Sequence, residues 1–395
     1  MKTILKHLFI SLIVSISILS LCPCRVFAQE NGSFIPYRQG NLWGFANAER
    51  KIVISLEYDE TSPFSENLAR VKSGNRYGFI DTKIKEIIPY KYYYASHFEQ
   101  GVSVVYINGR YGLINHQGIE ITPIHYEDIS FFRDGLARVK YQGLYGFVNT
   151  KGEEIVRPRY EMAGNFYEGI APVQLNGRWG FINKENMDVV LPKYDFALNF
   201  REGRAAVKMN GYWGFIDLNG QLVIPFKYES LESFYEGYAR VEYQGRWGFV
   251  DYKGQQIPPI YNAAISFSEG LAAVNLNGLW GFINAQAQLV IENKFSFAGS
   301  FKNGLAKVRV GALWGYIDKL GREVISIKYI KINSFQEGLA AVQIGDKWGF
   351  INIHDQVVIP PIYDTVEDFK GGISRVSINQ KYGYINQQGL EFFKN

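Results

Sequence analysis

Side chains able to do acid–base, nucleophilic or metal chemistry are few in this 395-residue chain. Beyond residue 28 the histidines are His97, His116, His125 and His354, and no two stand at a paired spacing such as HExxH. Cys22 and Cys24 are the only cysteines, so the rest of the chain offers no thiol nucleophile and no thiolate ligand set. No phosphate loop and no GxGxxG in a strand–helix setting occurs. Carboxylates do recur at one register: Glu66, Asp134, Glu168, Glu202, Glu236, Glu269 and Glu337. An acid repeated in the same loop reads as an acceptor for turn N–H groups, or as solvation of a sheet edge, rather than as a catalytic pair. Asp217-Leu218-Asn219-Gly220 lacks the acidic count of a calcium loop. The expectation is a protein without catalytic residues, metal or cofactor.

What positions these residues is a repeat. An aromatic-Gly pair recurs at Trp43, Tyr77, Tyr111, Tyr145, Trp179, Trp213, Trp247, Trp280, Trp314, Trp348 and Tyr382. Nine of the ten spacings are 34 residues and one, Trp247 to Trp280, is 33. A Phe follows 21 residues behind in nine copies, as Phe234 follows Trp213. An aromatic column at one register could stack sugars or bases, but a residue needed by every unit beside Phe and Ile reads first as core.

Each unit reads as three short strands: 212–217, 222–228 and 238–243 in the copy that starts at Trp213. Asp217 to Gly220 forms a turn, Asp by side-chain capping and Gly by positive φ. Pro225 removes a ladder donor, which places its strand at an edge or on a bulge. Pairs such as Asn176-Gly177 are strong hairpin signals. Along the third strand Ala69 and Val71 face one way, Arg70 and Lys72 the other. One 34-residue unit cannot bury its own aromatics, so neighbours must stack. The expected fold is all-β: ten three-stranded repeats of about 34 residues plus a partial eleventh, in an open, solenoid-like superhelical stack. The alternative is a closed, propeller-like ring, because the lone strand at 34–38 and the partial unit at 381–393 would together complete an eleventh copy.

The string Trp213-Gly214-Phe215-Ile216-Asp217, with Gly220, Ile224-Pro225, Tyr228, Phe234 and Glu236-Gly237, resembles the bacterial WG-repeat family. The resemblance covers about residues 34–393 and departs where Tyr replaces Trp and where no Pro precedes Phe295. It implies an exported or surface repeat scaffold and supplies no catalytic residue.

Residues 1–28 read as a secretory signal peptide. Lys2 and Lys6 precede an apolar run, and Val26-Phe27-Ala28 offers a cleavage site before Gln29. The run is shorter than the ~20 residues that span a bilayer. Leu19-Ser20-Leu21-Cys22 loosely matches a lipobox, with Leu21 a poor fit before the cysteine. The array is then 29–395, without cysteine, and with 39 basic and 38 acidic residues. That balance argues against nucleic-acid binding, and no second apolar run suggests a membrane span. Outward positions of the third strand are nonetheless basic: Arg70, Lys72, Arg138, Lys140, Lys208, Arg240, Lys307, Arg309 and Arg375, against Glu242 alone. Aligned, they form a stripe suited to an anionic partner, or a strand surface guarded against edge pairing. The functional expectation is an exported, non-enzymatic scaffold that binds a partner protein or an envelope polymer in the periplasm, at the cell surface or outside the cell. Its alternative is a carbohydrate-binding module or a hydrolase of envelope glycans.

Overall fold

The computed structural model describes residues 34–394, all without helix. The signal peptide, the cleavage site after Ala28 and both cysteines lie outside the described residues. Inside them the chain forms eleven sheets, nine of four strands and two of three. One sheet holds Ser230–Leu231, Tyr238–Tyr243, Arg246–Asp251 and Gln256–Tyr261, side by side and antiparallel. The three expected strands are present. The fourth, two residues long, falls where the sequence reads as a connection, because two residues are too few to show an alternation. Repeat and sheet are also out of phase. The unit that starts at Trp213 places Tyr212–Asp217 and Leu222–Tyr228 in one sheet and Tyr238–Tyr243 in the next.

The aromatic-Gly strand is central in its sheet, and the Pro-containing strand is its outer edge. Trp213 pairs with Tyr228, Phe215 with Ile224 and Ile216 with Leu222. Between the first two pairs the central strand therefore advances two residues and the edge strand four. The surplus folds inward as a bulge over Gly214. A Cβ added there would lie 2.6 Å from the Ile224 carbonyl oxygen, so only glycine fits. The same approach recurs at Gly44, Gly146, Gly180, Gly248, Gly281, Gly315 and Gly349, at 2.4 to 2.5 Å. Pro225 sits in the bulge of an edge strand, where its missing N–H breaks no ladder. The first turn forms as its residues dictate: Asp217 Oδ1 accepts from the N–H of Asn219 and of Gln221, both at 2.9 Å, and Gly220 has φ 76°.

Sheets are held to each other by apolar burial. Phe215, Ile224 and Tyr228 of one sheet meet Leu231, Phe234, Ala239 and Val241 of the next. Phe215 and Phe234 pack edge to face, with ring centroids 4.8 Å apart. Equivalent Phe–Phe pairs occur at Phe45–Phe64, Phe79–Phe98, Phe147–Phe166, Phe181–Phe200, Phe249–Phe267, Phe282–Phe301 and Phe350–Phe369. Each such pair adds about 0.5–1.5 kcal/mol beyond the area it buries. Eleven clusters of this kind separate the eleven sheets.

The eleventh cluster closes the array. Ile35, Tyr37 and Ala46 of the first sheet pack on Phe392, with Ile373, Tyr384 and Leu390 beside them. The Phe392 N–H donates to the Tyr384 carbonyl at 2.7 Å, on the last sheet, while its own carbonyl accepts from the Arg38 N–H at 3.2 Å, on the first. Phe393–Lys394 then pairs with Arg38 and Gln39 in parallel. The molecule is an eleven-bladed propeller-like ring, not the open solenoid-like stack. The repeat fixes each unit's contact with its neighbour, whereas closure depends on the accumulated turn between units and on the end of the partial last copy, the strap 390–394, where Phe392 and Phe393 stand at the positions of Val223 and Ile224.

Two substitutions test this packing. Gly214→Ala should cost about 1–3 kcal/mol by overpacking, read as a lower thermal midpoint. Phe392→Ala should cost about 3–5 kcal/mol and expose the seam to limited proteolysis first. An unchanged midpoint and cleavage pattern would refute the strap.

Candidate functional site

The nine basic residues of the stripe lie on the face shared with the repeated aromatic. Lys72 is directly opposite Tyr77 and Lys208 opposite Trp213 across the strand pair. Each cation lies over that ring: Arg240 at 4.3 Å from Trp247, Arg375 at 4.3 Å from Tyr382, Lys307 and Arg309 at 5.0 and 5.2 Å from Trp314. Arg70 and Lys72 cover Tyr77, Arg138 and Lys140 cover Tyr145, and Lys208 covers Trp213. The order of the sheets spreads the nine over six of them rather than along one line.

Within this set the structure separates two kinds. Arg70 Nη1 donates to the Ala95 carbonyl at 2.8 Å and Arg138 Nη1 to that of Ala163 at 2.7 Å, both on the following sheet. Arg240 donates likewise to Ala264, and Lys307 reaches the Ile332 carbonyl at 3.4 Å. Arg70, Arg240 and Arg375 also pair with Glu60, Glu232 and Glu367. Arg70, Arg138, Arg240 and Lys307 thus tie sheet to sheet. The ammonium groups of Lys72, Lys140 and Lys208, by contrast, make no hydrogen bond or ion pair among the described residues. The rings beneath are half-buried apart from Tyr382, which is 45% exposed, while Trp43 and Trp179 of other copies are in the core.

The recurrent acids do accept turn N–H groups, but those of the neighbouring unit. Glu236 and Gly237 are the two central residues of a tight hairpin turn, both at positive φ, which aims their N–H groups outward together. The carboxylate of Glu202 accepts both, at 2.9 and 3.0 Å. Glu236 in turn accepts from Glu269 and Gly270, Glu168 from Glu202 and Gly203, and Glu337 from Gly371 and Gly372. Glu66, Asp134 and Glu269 each hold the next turn by one bond. A further partner stands 50 residues on: Tyr252 donates to Glu202 at 2.6 Å, His116 lies 2.9 Å from Glu66 and Lys319 3.2 Å from Glu269. Sequence reasoning missed that partner, whose only signal is its fixed offset from the acid.

Burial would raise the Glu202 carboxyl, but the bonds from Tyr252, Gly237 and Glu236 outweigh it and hold the group below the ordinary glutamate value. Glu269 is lowered in the same way, against its burial, by Gly304 and Lys319. Burial, and then Glu202, push the Tyr252 phenol up to about 12.

At the seam the belt of turns has a gap. A cavity of about 930 Å³ opens between the turn at Gly371–Gly372 and that at Glu66, over Phe34, Ile35 and Tyr384. His97 borders it. The other three histidines are elsewhere: His116 stacks on Phe98, His125 on Tyr141, and His354 lies in an exposed turn. Among the described residues no group of three or more His, Cys, Asp or Glu could hold a metal ion, and no helix is long and apolar enough to cross a membrane.

The depressed carboxyls give a pH prediction. Their stabilisation is complete above the unfolded glutamate value of about 4.3 and is lost as pH falls through their lower folded values. The thermal midpoint should therefore drop below about pH 4.3. Glu202→Gln should lower it at pH 7 and lessen the drop, and a parallel pH curve would count against the belt.

Comparison with known proteins returns the period directly. A model of the WG containing repeat matches ten times without a gap, from residues 43–77 to residues 348–382. No curated protein matches the chain. Among solved structures it is similar to a eukaryotic initiation factor, at 13% identity over 75% of this chain and 95% of that one, with TM-score 0.41. Apo AztD from Citrobacter koseri shows 14% identity over 75% and 94%, TM-score 0.33. PorZ, a surface component of the type-IX secretion system of Porphyromonas gingivalis, shows 10% identity over 86% and 59%, TM-score 0.26. With its ten consecutive repeats spanning residues 43–382, the chain belongs to the WG-repeat family.

Proposed function

We propose that this protein is an exported, non-enzymatic ring scaffold that holds a partner protein, with an anionic envelope polymer as the other ligand such a surface suits. Export rests on the signal-like character of residues 1–28. The observation that carries the binding reading is an apolar arc at the end of the ring formed by the aromatic-Gly hairpins. Leu276 and Leu279 face each other across one hairpin, Val310 and Leu313 across the next, and Ile344 follows. All five are between 38 and 48% exposed. Lys347 faces Ile344 at one end of the arc, and four other copies place an arginine at the second position of the pair: Arg76, Arg110, Arg178 and Arg246. Contiguous exposed apolar residues rimmed by charge mark a protein contact more often than solvent-facing surface. Arg246 on one side of the arc, with Lys72, Lys140 and Lys208 elsewhere on the ring, supplies attraction for an acidic partner.

Capture from an envelope extract tests this. Leu279→Asp with Leu313→Asp should abolish capture, and Lys72→Glu with Lys140→Glu should weaken it, both with an unchanged thermal midpoint. Protease treatment of the extract should remove the ligand if it is a protein and spare it if it is a polymer. Wild-type capture by both double variants would sink the proposal.

A further inference from the structure

The belt of turn carboxylates is interrupted at Asn303. This residue occupies the position that Glu202, Glu236, Glu269 and Glu337 hold in other units, with the same positive φ of 52°. The turn it should hold, Glu337–Gly338, has both residues at positive φ, 51° and 86°. Its two N–H groups meet no acceptor among the described residues. Their counterparts at Glu236–Gly237, Glu269–Gly270 and Gly371–Gly372 each receive both oxygens of a carboxylate, at 2.6 to 3.0 Å. The Glu337 carboxylate itself is committed to Gly371 and Gly372 on the far side.

A second departure coincides with the first. The residue 50 positions beyond the acid is its polar partner at His116, Tyr252, Lys319 and Gln387, while Leu218 stands beyond Glu168. Beyond Asn303 it is Ile353, 45% exposed. Gln100 also replaces the acid, with Thr150 as its distant partner, so the combination of amide and aliphatic belongs to Asn303. A cavity of about 400 Å³ opens there. Its floor and lip are apolar, from Leu305, Tyr316, Phe335 and Ile353, and its wall carries Lys302 and Lys307 beside the Glu337–Gly338 turn. Burial holds the Lys307 ammonium below the ordinary lysine value, so a bound anion would compensate a desolvated cation.

We propose that this cavity is a binding site for a small organic carboxylate with an apolar body. The carboxylate takes the place of the missing glutamate on the Glu337 and Gly338 N–H groups, and the apolar body lies against Leu305, Phe335 and Ile353. Paired turn N–H groups at positive φ form an anion-binding concavity, and the same ring shows the carboxylate that fills it. The site is separate from the apolar arc and does not depend on the partner proposed above.

Butyrate, with inorganic phosphate as a bare anion, titrated into the full chain with detection of the Gly338 amide resonance and calorimetry, tests the site. Butyrate should shift Gly338 and bind at least about tenfold more tightly than phosphate, since phosphate leaves the apolar wall uncovered. Asn303→Glu should supply the belt carboxylate internally, abolish the butyrate shift and raise the thermal midpoint. Gln100→Glu, at the other break in the belt, should leave butyrate binding unchanged. Butyrate binding that survives Asn303→Glu, equal binding of phosphate, or no shift at Gly338 would each overturn the proposal.

Discussion

Everything in this ring depends on the approach of one carbonyl to one glycine. The edge strand carries two surplus residues opposite the aromatic-Gly pair, and their backbone can settle only where the central strand has no Cβ. That bulge re-aims the edge strand so that its last residue, Tyr228 or an equivalent, returns to register beside Trp213 and becomes buried between sheets. Two residues further on, at Ser230, the chain enters the next sheet. The glycine thus controls the geometry of the passage from sheet to sheet, and the aromatic beside it supplies the area that the passage buries.

Polar interactions then decorate a scaffold that packing has already set. Arg70, Arg138 and Arg240 of the stripe donate to carbonyls of the following sheet while lying on the repeated aromatic, and the belt carboxylates hold the following turn. Both devices act between units. A surface that looks charged in sequence is therefore partly internal wiring, and the residues left over are the lysines one step along the same strand.

Much of this was legible in the sequence. The period, the glycine beside the aromatic, the Asp217 turn, and the edge placement of Pro225 each follow from a local steric or hydrogen-bonding rule. The destination of the acids was only half legible, because alternation shows that Glu202 is in a turn but not that its oxygens reach Glu236 and Gly237. The two-residue strands were invisible for want of length. Closure was undecided because every repeated residue serves an open stack and a ring equally well. The residues that discriminate, Phe392 and Phe393, stand at the repeat positions of Val223 and Ile224, and a change of side chain in one partial copy carries no periodic signal. Asn303 and Ile353 are legible only as a pair, once the fold has shown that positions 50 residues apart meet.

The offset between repeat and sheet bears on how such a chain changes size. A segment cut from one Trp-Gly pair to the next contains the closing half of one sheet and the opening half of its successor. Recombination between two copies at that pair therefore joins halves that already match, and every sheet in the product is whole. The circumference would grow or shrink by one blade at each exchange, while the strap from Leu390 to Lys394 keeps the same two partners. What such an exchange alters is the turn demanded of each interface, so the range of ring sizes open to this lineage is set by how far eleven-fold packing can flex.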